Sequence, residues 1–131
     1  MTMPLTAEKT KRVIAAAEAK AAEMGLQISV AVVDTNGLMK GFLKMDGARF
    51  TTNDIALGKA KACAGTGRSN AETAERADRP VFQYQLIHYG SIFAQGGEPL
   101  FDGDEFIGAI GVSGAPGGPI DEEIAKAAVD A

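Results

Sequence analysis

Apolar residues recur at helical spacing from the start of the chain: Val13, Ile14, Ala17, Ala21 and Met24 share one stripe, with Glu8, Lys9, Arg12 and Glu18 opposite. That pattern predicts a helix capped by Thr6 and running to about Met24, where Gly25 stops it. The period then drops to two. In Gln27 to Asp34 both alternating sets, Ile28/Val30/Val32 and Ser29/Ala31/Val33, are apolar or small, which predicts a strand covered on both faces. Asn36-Gly37 predicts a hairpin turn, with Leu38 to Met45 returning antiparallel and Lys40 and Lys44 on the face of Leu38 and Phe42. Asp46-Gly47 closes that strand. Thr51 as N-cap, with Asp54 near the positive end, then predicts a helix from Thr52 to about Ala64. Its Ala56, Gly58, Ala60, Ala62, Cys63 and Ala64 leave little bulk, which permits very close packing against a sheet or a symmetry-related helix. After Gly65-Thr66-Gly67, Ser69 and Glu72 form a capping box for a short helix to about Ala77.

Val81 to Gly90 is rich in aromatic and apolar residues and has no decisive period, so it reads equally as a short helix or a lining loop. Ser91 to Gln95 reads as a short strand. Eight of the sixteen glycines lie between Gly96 and Gly118, and within that stretch Asp102-Gly103 predicts a tight hairpin joining Glu98–Phe101 to Glu105–Ser113. Gly108, Gly111 and Gly114 mark places where a helix, another subunit or a ligand approaches bare backbone. Pro119, followed by Asp121, Glu122 and Glu123, starts a last helix. The order predicts one α+β domain over residues 1–131, a three-layer α/β/α arrangement in which a five-stranded antiparallel sheet carries helices on both faces.

A formal net charge of −4 argues against nucleic acid as a partner. No apolar run reaches membrane-spanning length, and Met1-Thr2-Met3-Pro4 leads into a charged helix without a signal segment, so no membrane partner and a cytoplasmic location are expected. Cys63 and His88 are each single and fit no zinc spacing, so no intrinsic metal site is expected. Gly-x-Ser-x-Gly, phosphate-loop and dinucleotide-loop patterns are absent from the sequence.

Two groups of residues could carry chemistry. His88, flanked by Tyr84 and Tyr89, is the candidate for proton transfer or for ligation of an iron, because imidazole serves both purposes. Arg49 and Thr51 lie where the second strand meets a helix N-terminus, a position that suits an anion; Lys59 and Arg68 extend the same basic rim. Each has a plain alternative, Thr51 as a cap, Arg49 as a surface ion pair, Cys63 as buried filler, and Asp34 and Asp46 as turn residues.

Four blocks in order, Ala31-Val32-Val33-Asp34 with Gly37, Lys44-Met45-Asp46-Gly47-Ala48, Asp54-Ile55-Ala56 with Gly58-Lys59-Ala60-Lys61-Ala62, and Gly108-Ala109-Ile110-Gly111-Val112-Ser113-Gly114, resemble the GlcG/HbpS family of small haem-binding or haem-degrading domains. The resemblance spans nearly the whole chain. It implies a profilin-like fold and haem, or a related tetrapyrrole or other flat organic anion, as the ligand. The expected site is a groove between the helix starting near Thr52 and the glycine-rich C-terminal strand, with Arg49, Thr51, Lys59, Tyr84, His88 and Tyr89 as its residues and His88 as the candidate haem ligand. A rival reading is a small isomerase, lyase or hydratase of a carboxylated substrate, with His88 as acid or base and Arg49 holding the carboxylate; the sequence leaves turnover open. The small-residue helix and the apolar Val81–Gly90 segment together predict a homo-oligomer.

Overall fold

The computed structural model describes residues 5–131; the expectations for Met1 to Pro4 lie outside the described residues. Helix α1 (Ala7–Glu23) is followed by strands β1 (Ser29–Asp34) and β2 (Met39–Lys44) and by helices α2 (Thr51–Thr66) and α3 (Asn70–Thr73). A 3-10 turn at Ala74–Arg76, helix α4 (Pro80–Tyr89), strands β3 (Gly97–Asp102) and β4 (Glu105–Ser113) and helix α5 (Gly118–Ala128) complete the chain. The four strands form one antiparallel sheet in the order β2-β1-β4-β3.

Both faces of the sheet are covered, because β1 and β4 are apolar on both. Val30, Val32, Ile110 and Val112 pack with Val13, Ala17, Ala21, Ile124, Ala125 and Ala128 of α1 and α5. On the other face Ala31, Val33 and Ala109 meet Ala56, Ala60, Cys63 and Ala64 of α2. The small residues of α2 therefore serve packing within the chain. At Gly111 of β4 an added Cβ would collide with the Ala56 carbonyl and lie 2.7 Å from the Ala60 nitrogen, so the helix backbone rests directly on the strand.

The sheet has four strands, not the five the sequence suggested. Ser91–Gln95 is an irregular connection bonded to other elements in place of a neighbouring strand: the Ile92 backbone amide donates to the Gly58 carbonyl at 2.9 Å, and the buried Asn70 side-chain amide donates to the carbonyls of Ile92 (3.4 Å) and Ala94 (3.0 Å). Both hairpins form where expected, with different turns. The Gly37 amide donates to Asp34 O (3.0 Å) and the Asp34 amide to Leu38 O (2.9 Å), a three-residue loop in which Gly37 alone has positive φ. In the second hairpin the loop pair is Gly103-Asp104, with Gly103 at φ +62°. Thr6 caps α1 as expected, accepting from the Lys9 amide at 3.0 Å. Thr51, expected as the N-cap of α2, is instead its first residue; Phe50 occupies the cap without a side-chain bond.

The undecided Val81–Gly90 segment is helical. Pro80 starts α4 and Gly90, left-handed, ends it. Periodicity could not reveal this helix, because none of its residues is buried and apolar side chains point all round it. Phe82 stacks on Phe93 with ring centroids 4.3 Å apart, while Val81, Tyr84, Leu86, Ile87 and Tyr89 are exposed.

Candidate functional site

Helix α2 organises the candidate residues by separating them. From Thr51 to Gly65 it rises about 21 Å at ~1.5 Å per residue, and the six sequence candidates fall near its two ends and its middle. The single groove expected between α2 and β4 is filled by their direct packing.

At the N-terminal end, Arg49 and Thr51 line a hollow of about 640 Å³ with Thr52, Ser113, Gly114 and Asp121. Arg49 is exposed there, and the Thr52 and Asn53 amides already donate to Arg49 O (3.1 Å) and Phe50 O (3.2 Å). The Thr52 hydroxyl meets Ser29 Oγ at 2.8 Å and donates to Arg49 O at 2.6 Å. Most polar groups of this helix start are thus committed within the chain.

Lys59, in the middle of α2, is only 4% exposed. Its ammonium donates to Val112 O (2.9 Å) and to Asp121 Oδ2 (3.0 Å), and Asp121 Oδ1 accepts from the Ala115 amide (3.0 Å). Burial raises the Asp121 carboxyl above its ordinary value, and Lys59 opposes that rise. This pair joins α2, β4 and α5 and does not reach solvent as a basic rim. The sequence placed Asp121 at the positive end of the last helix; only the tertiary contact reveals its partner.

A second cavity, about 560 Å³, lies at the C-terminal end of α2. Lys61, Ala64 and Gly65 of α2 form one wall, Gln85, His88 and Tyr89 of α4 another, and the β1–β2 turn from Thr35 to Leu38 a third. The exposed His88 ring lies 4.2 Å from the Tyr84 ring, and Tyr84 meets Tyr89 edge-on at 6.0 Å. The spacing of Gln85, His88 and Tyr89 puts all three on one face of α4. The structure thus brings His88, Tyr84 and Tyr89 together and leaves Arg49, Thr51 and Lys59 elsewhere. Lys61, which the sequence reading passed over, supplies the cavity's cation; its Nζ donates to Tyr89 O at 3.4 Å.

A carboxylate missed in the sequence, Glu98, is buried at the sheet edge, where it accepts a hydrogen bond from the Ser69 hydroxyl. Burial, chiefly, raises its carboxyl above the ordinary range. Burial also pushes the Cys63 thiol far up, with the Glu98 charge adding to the effect, so Cys63 is no nucleophile. Asn70 Oδ1 is buried without a partner. Among the described residues no group of three or more His, Cys, Asp or Glu could hold a metal ion, and no helix is long and apolar enough to cross a membrane.

Residues 5–130 match the family described as haem degrading protein HbpS-like. The chain belongs to that family. A double mutant of Streptomyces reticuli HbpS has the same fold, with a TM-score of 0.89 and 32% identity over 99% of this chain and 88% of the other. An uncharacterised 15.0 kDa protein from the dhaT-dhaS intergenic region of Citrobacter freundii is 31% identical, covering 96% of this chain and 90% of its relative. PduOC, in a complex with haem, shares the fold at a TM-score of 0.88, with 20% identity over 98% and 94% of the two chains. These similarities span between 96% and 99% of this chain.

Proposed function

We propose that this HbpS-like protein binds haem or a related flat tetrapyrrole in the cavity between α4, the end of α2 and the β1–β2 turn. The observation that carries this reading is the position of His88, an exposed imidazole at the wall of a cavity of about 560 Å³, beside two tyrosine rings. That volume falls within the range of small-molecule sites. The donor set suits an iron porphyrin: His88 would hold the iron, Leu38 and the tyrosines offer surface to a ring, and Lys61 offers a cation. Bound haem supplies one-electron and oxygen chemistry. This chain's own part is to bind and orient the ring and to present the imidazole, whose orientation is supported by contact with Tyr84. Family membership and the haem complex of PduOC support the ligand class.

The protein acts in the cytoplasm and as a homo-oligomer in this reading. Support for assembly comes from α4, a ten-residue helix with no buried residue and with Val81, Ile87 and Tyr89 each more than half exposed. So short an apolar helix is marginal without packing partners, and a second copy of the same surface would provide them. A second functional reading keeps His88 as acid or base. It draws on Lys61 lining the same cavity, where a carboxylated substrate would be held; Arg49 is replaced in that role because it lies at the other end of α2. Absorbance titration with haemin separates the two. A saturable Soret shift that Gly65→Trp, which fills the cavity, abolishes supports haem there; absence of any shift in the wild-type chain refutes it.

A further inference from the structure

We propose that Lys61 is the specificity-determining residue of the His88 cavity, selecting planar rings that carry a free carboxylate over rings in which that group is esterified or missing. The proposal rests on the haem reading above and names the ligand feature that the protein recognises besides iron. Among the described residues lining the cavity, Lys61 is the one Lys or Arg and none is Asp or Glu, although the chain as a whole is acidic at −4. The nearest carboxylate along the lining turn, Asp34, has Oδ1 committed to the amides of Asn36 (2.8 Å) and Leu38 (3.1 Å). The cavity wall therefore carries positive charge in a protein that is otherwise negative, and favours an anion there.

Lys61 is held at the right place and is still available. It is half-buried on the last turns of α2 and lines the cavity, with its ammonium directed to Tyr89 O of α4. Of three N–H donors, one makes the 3.4 Å bond to Tyr89 O, at the weak end of hydrogen-bond geometry. Lys59, two residues earlier, shows the contrast: both its bonds are 3.0 Å or shorter and it is sealed from solvent. A ring bound by His88 would hold its carboxylate side chain against Lys61, while Asn36 and Thr35 of the β1–β2 turn supply neutral polar groups to the same cavity.

The test compares haemin with haemin dimethyl ester, both followed by Soret absorbance, in the wild-type chain, Lys61→Met and Lys61→Arg. A charge-assisted bond in a half-exposed site predicts that Lys61→Met weakens haemin binding on the order of tenfold, while Lys61→Arg stays near wild type. Ester affinity should be equal in all three. Added salt should weaken haemin binding to the wild-type chain more than to Lys61→Met. A merely structural role for Lys61 would change haemin and ester alike. If the wild-type chain binds haemin and Lys61→Met binds it as tightly, the role of Lys61 is overturned and the haem reading stands; if the wild-type chain binds neither ring, both fall. Should Lys61→Met fail to fold, the wild-type preference for haemin over ester and its salt dependence decide, and equal affinities overturn the proposal.

Discussion

Lys59→Met tests whether the buried cation holds the fold together or serves a ligand. Methionine keeps the length of the stem and removes the ammonium, so the buried Asp121 Oδ2 loses its 3.0 Å partner and Val112 O its 2.9 Å donor. Removing one member of a buried pair costs about 3–5 kcal/mol, because the other charge remains uncompensated. For a chain of this length that corresponds to a fall in melting temperature of roughly 10–20 °C. The loss depends on pH in a definite direction. Burial already raises the Asp121 carboxyl and Lys59 opposes that rise, so in Lys59→Met the folded carboxyl binds its proton more tightly still. A folded value raised above the unfolded one gives stability that is present at low pH and lost as pH rises through the folded value. The deficit against wild type should therefore shrink towards acid. Adding Asp121→Asn removes the stranded charge and keeps an oxygen for the Ala115 amide. In urea unfolding at pH 7 the double variant should be about 2–3 kcal/mol more stable than the sum of the two single losses. A Lys59→Met cost below about 0.5 kcal/mol, or strict additivity within that margin, would refute the reasoning.

Gly111→Ala forces a Cβ against the backbone of α2 and should cost about 3 kcal/mol by thermal unfolding; an unchanged melting temperature would contradict the close approach of helix and strand. Glu98 has a raised carboxyl, so its contribution is present below the ordinary glutamate value of about 4.3 and declines as pH rises above it. Glu98→Gln, which keeps an acceptor for Ser69, should flatten that decline and be more stable than wild type at pH 7; a lower urea midpoint there would count against it. Ile87→Asp places a charge on the exposed face of α4 and should shift an oligomer towards the 13.6 kDa monomer in light scattering. A wild-type chain already at monomer mass would end the assembly proposal.

What the sequence made legible followed from local rules. The apolar stripe of α1 and the doubly apolar β1 each form as the pattern predicts, and both hairpins form at the expected places, with loops of Thr35–Gly37 and Gly103-Asp104. Contacts between distant elements were less legible. Ser91–Gln95 looks like a strand, yet the Asn70 side chain takes up its carbonyls, and nothing in the local pattern announces that. The small residues of α2 allowed either a sheet or a second helix against them, and the glycine of β4 decides for the sheet. Among the site residues, the His88–Tyr84–Tyr89 grouping follows from helical spacing once α4 is a helix. Lys59 does not extend the basic rim of Arg49, because it turns inward to Asp121, while Lys61, two residues further on, lines the cavity. Periodicity within an alanine-rich helix does not say which side the sheet will cover.

The central claim is that the ligand lies between α4 and the β1–β2 turn, with iron on His88. It is tested most directly by locating iron from its anomalous scattering in crystals grown with haemin. The account predicts one iron peak per chain, bonded to the His88 imidazole, with the ring beside Tyr84 and Lys61. An iron peak elsewhere, such as the hollow lined by Arg49 and Thr51, would contradict it.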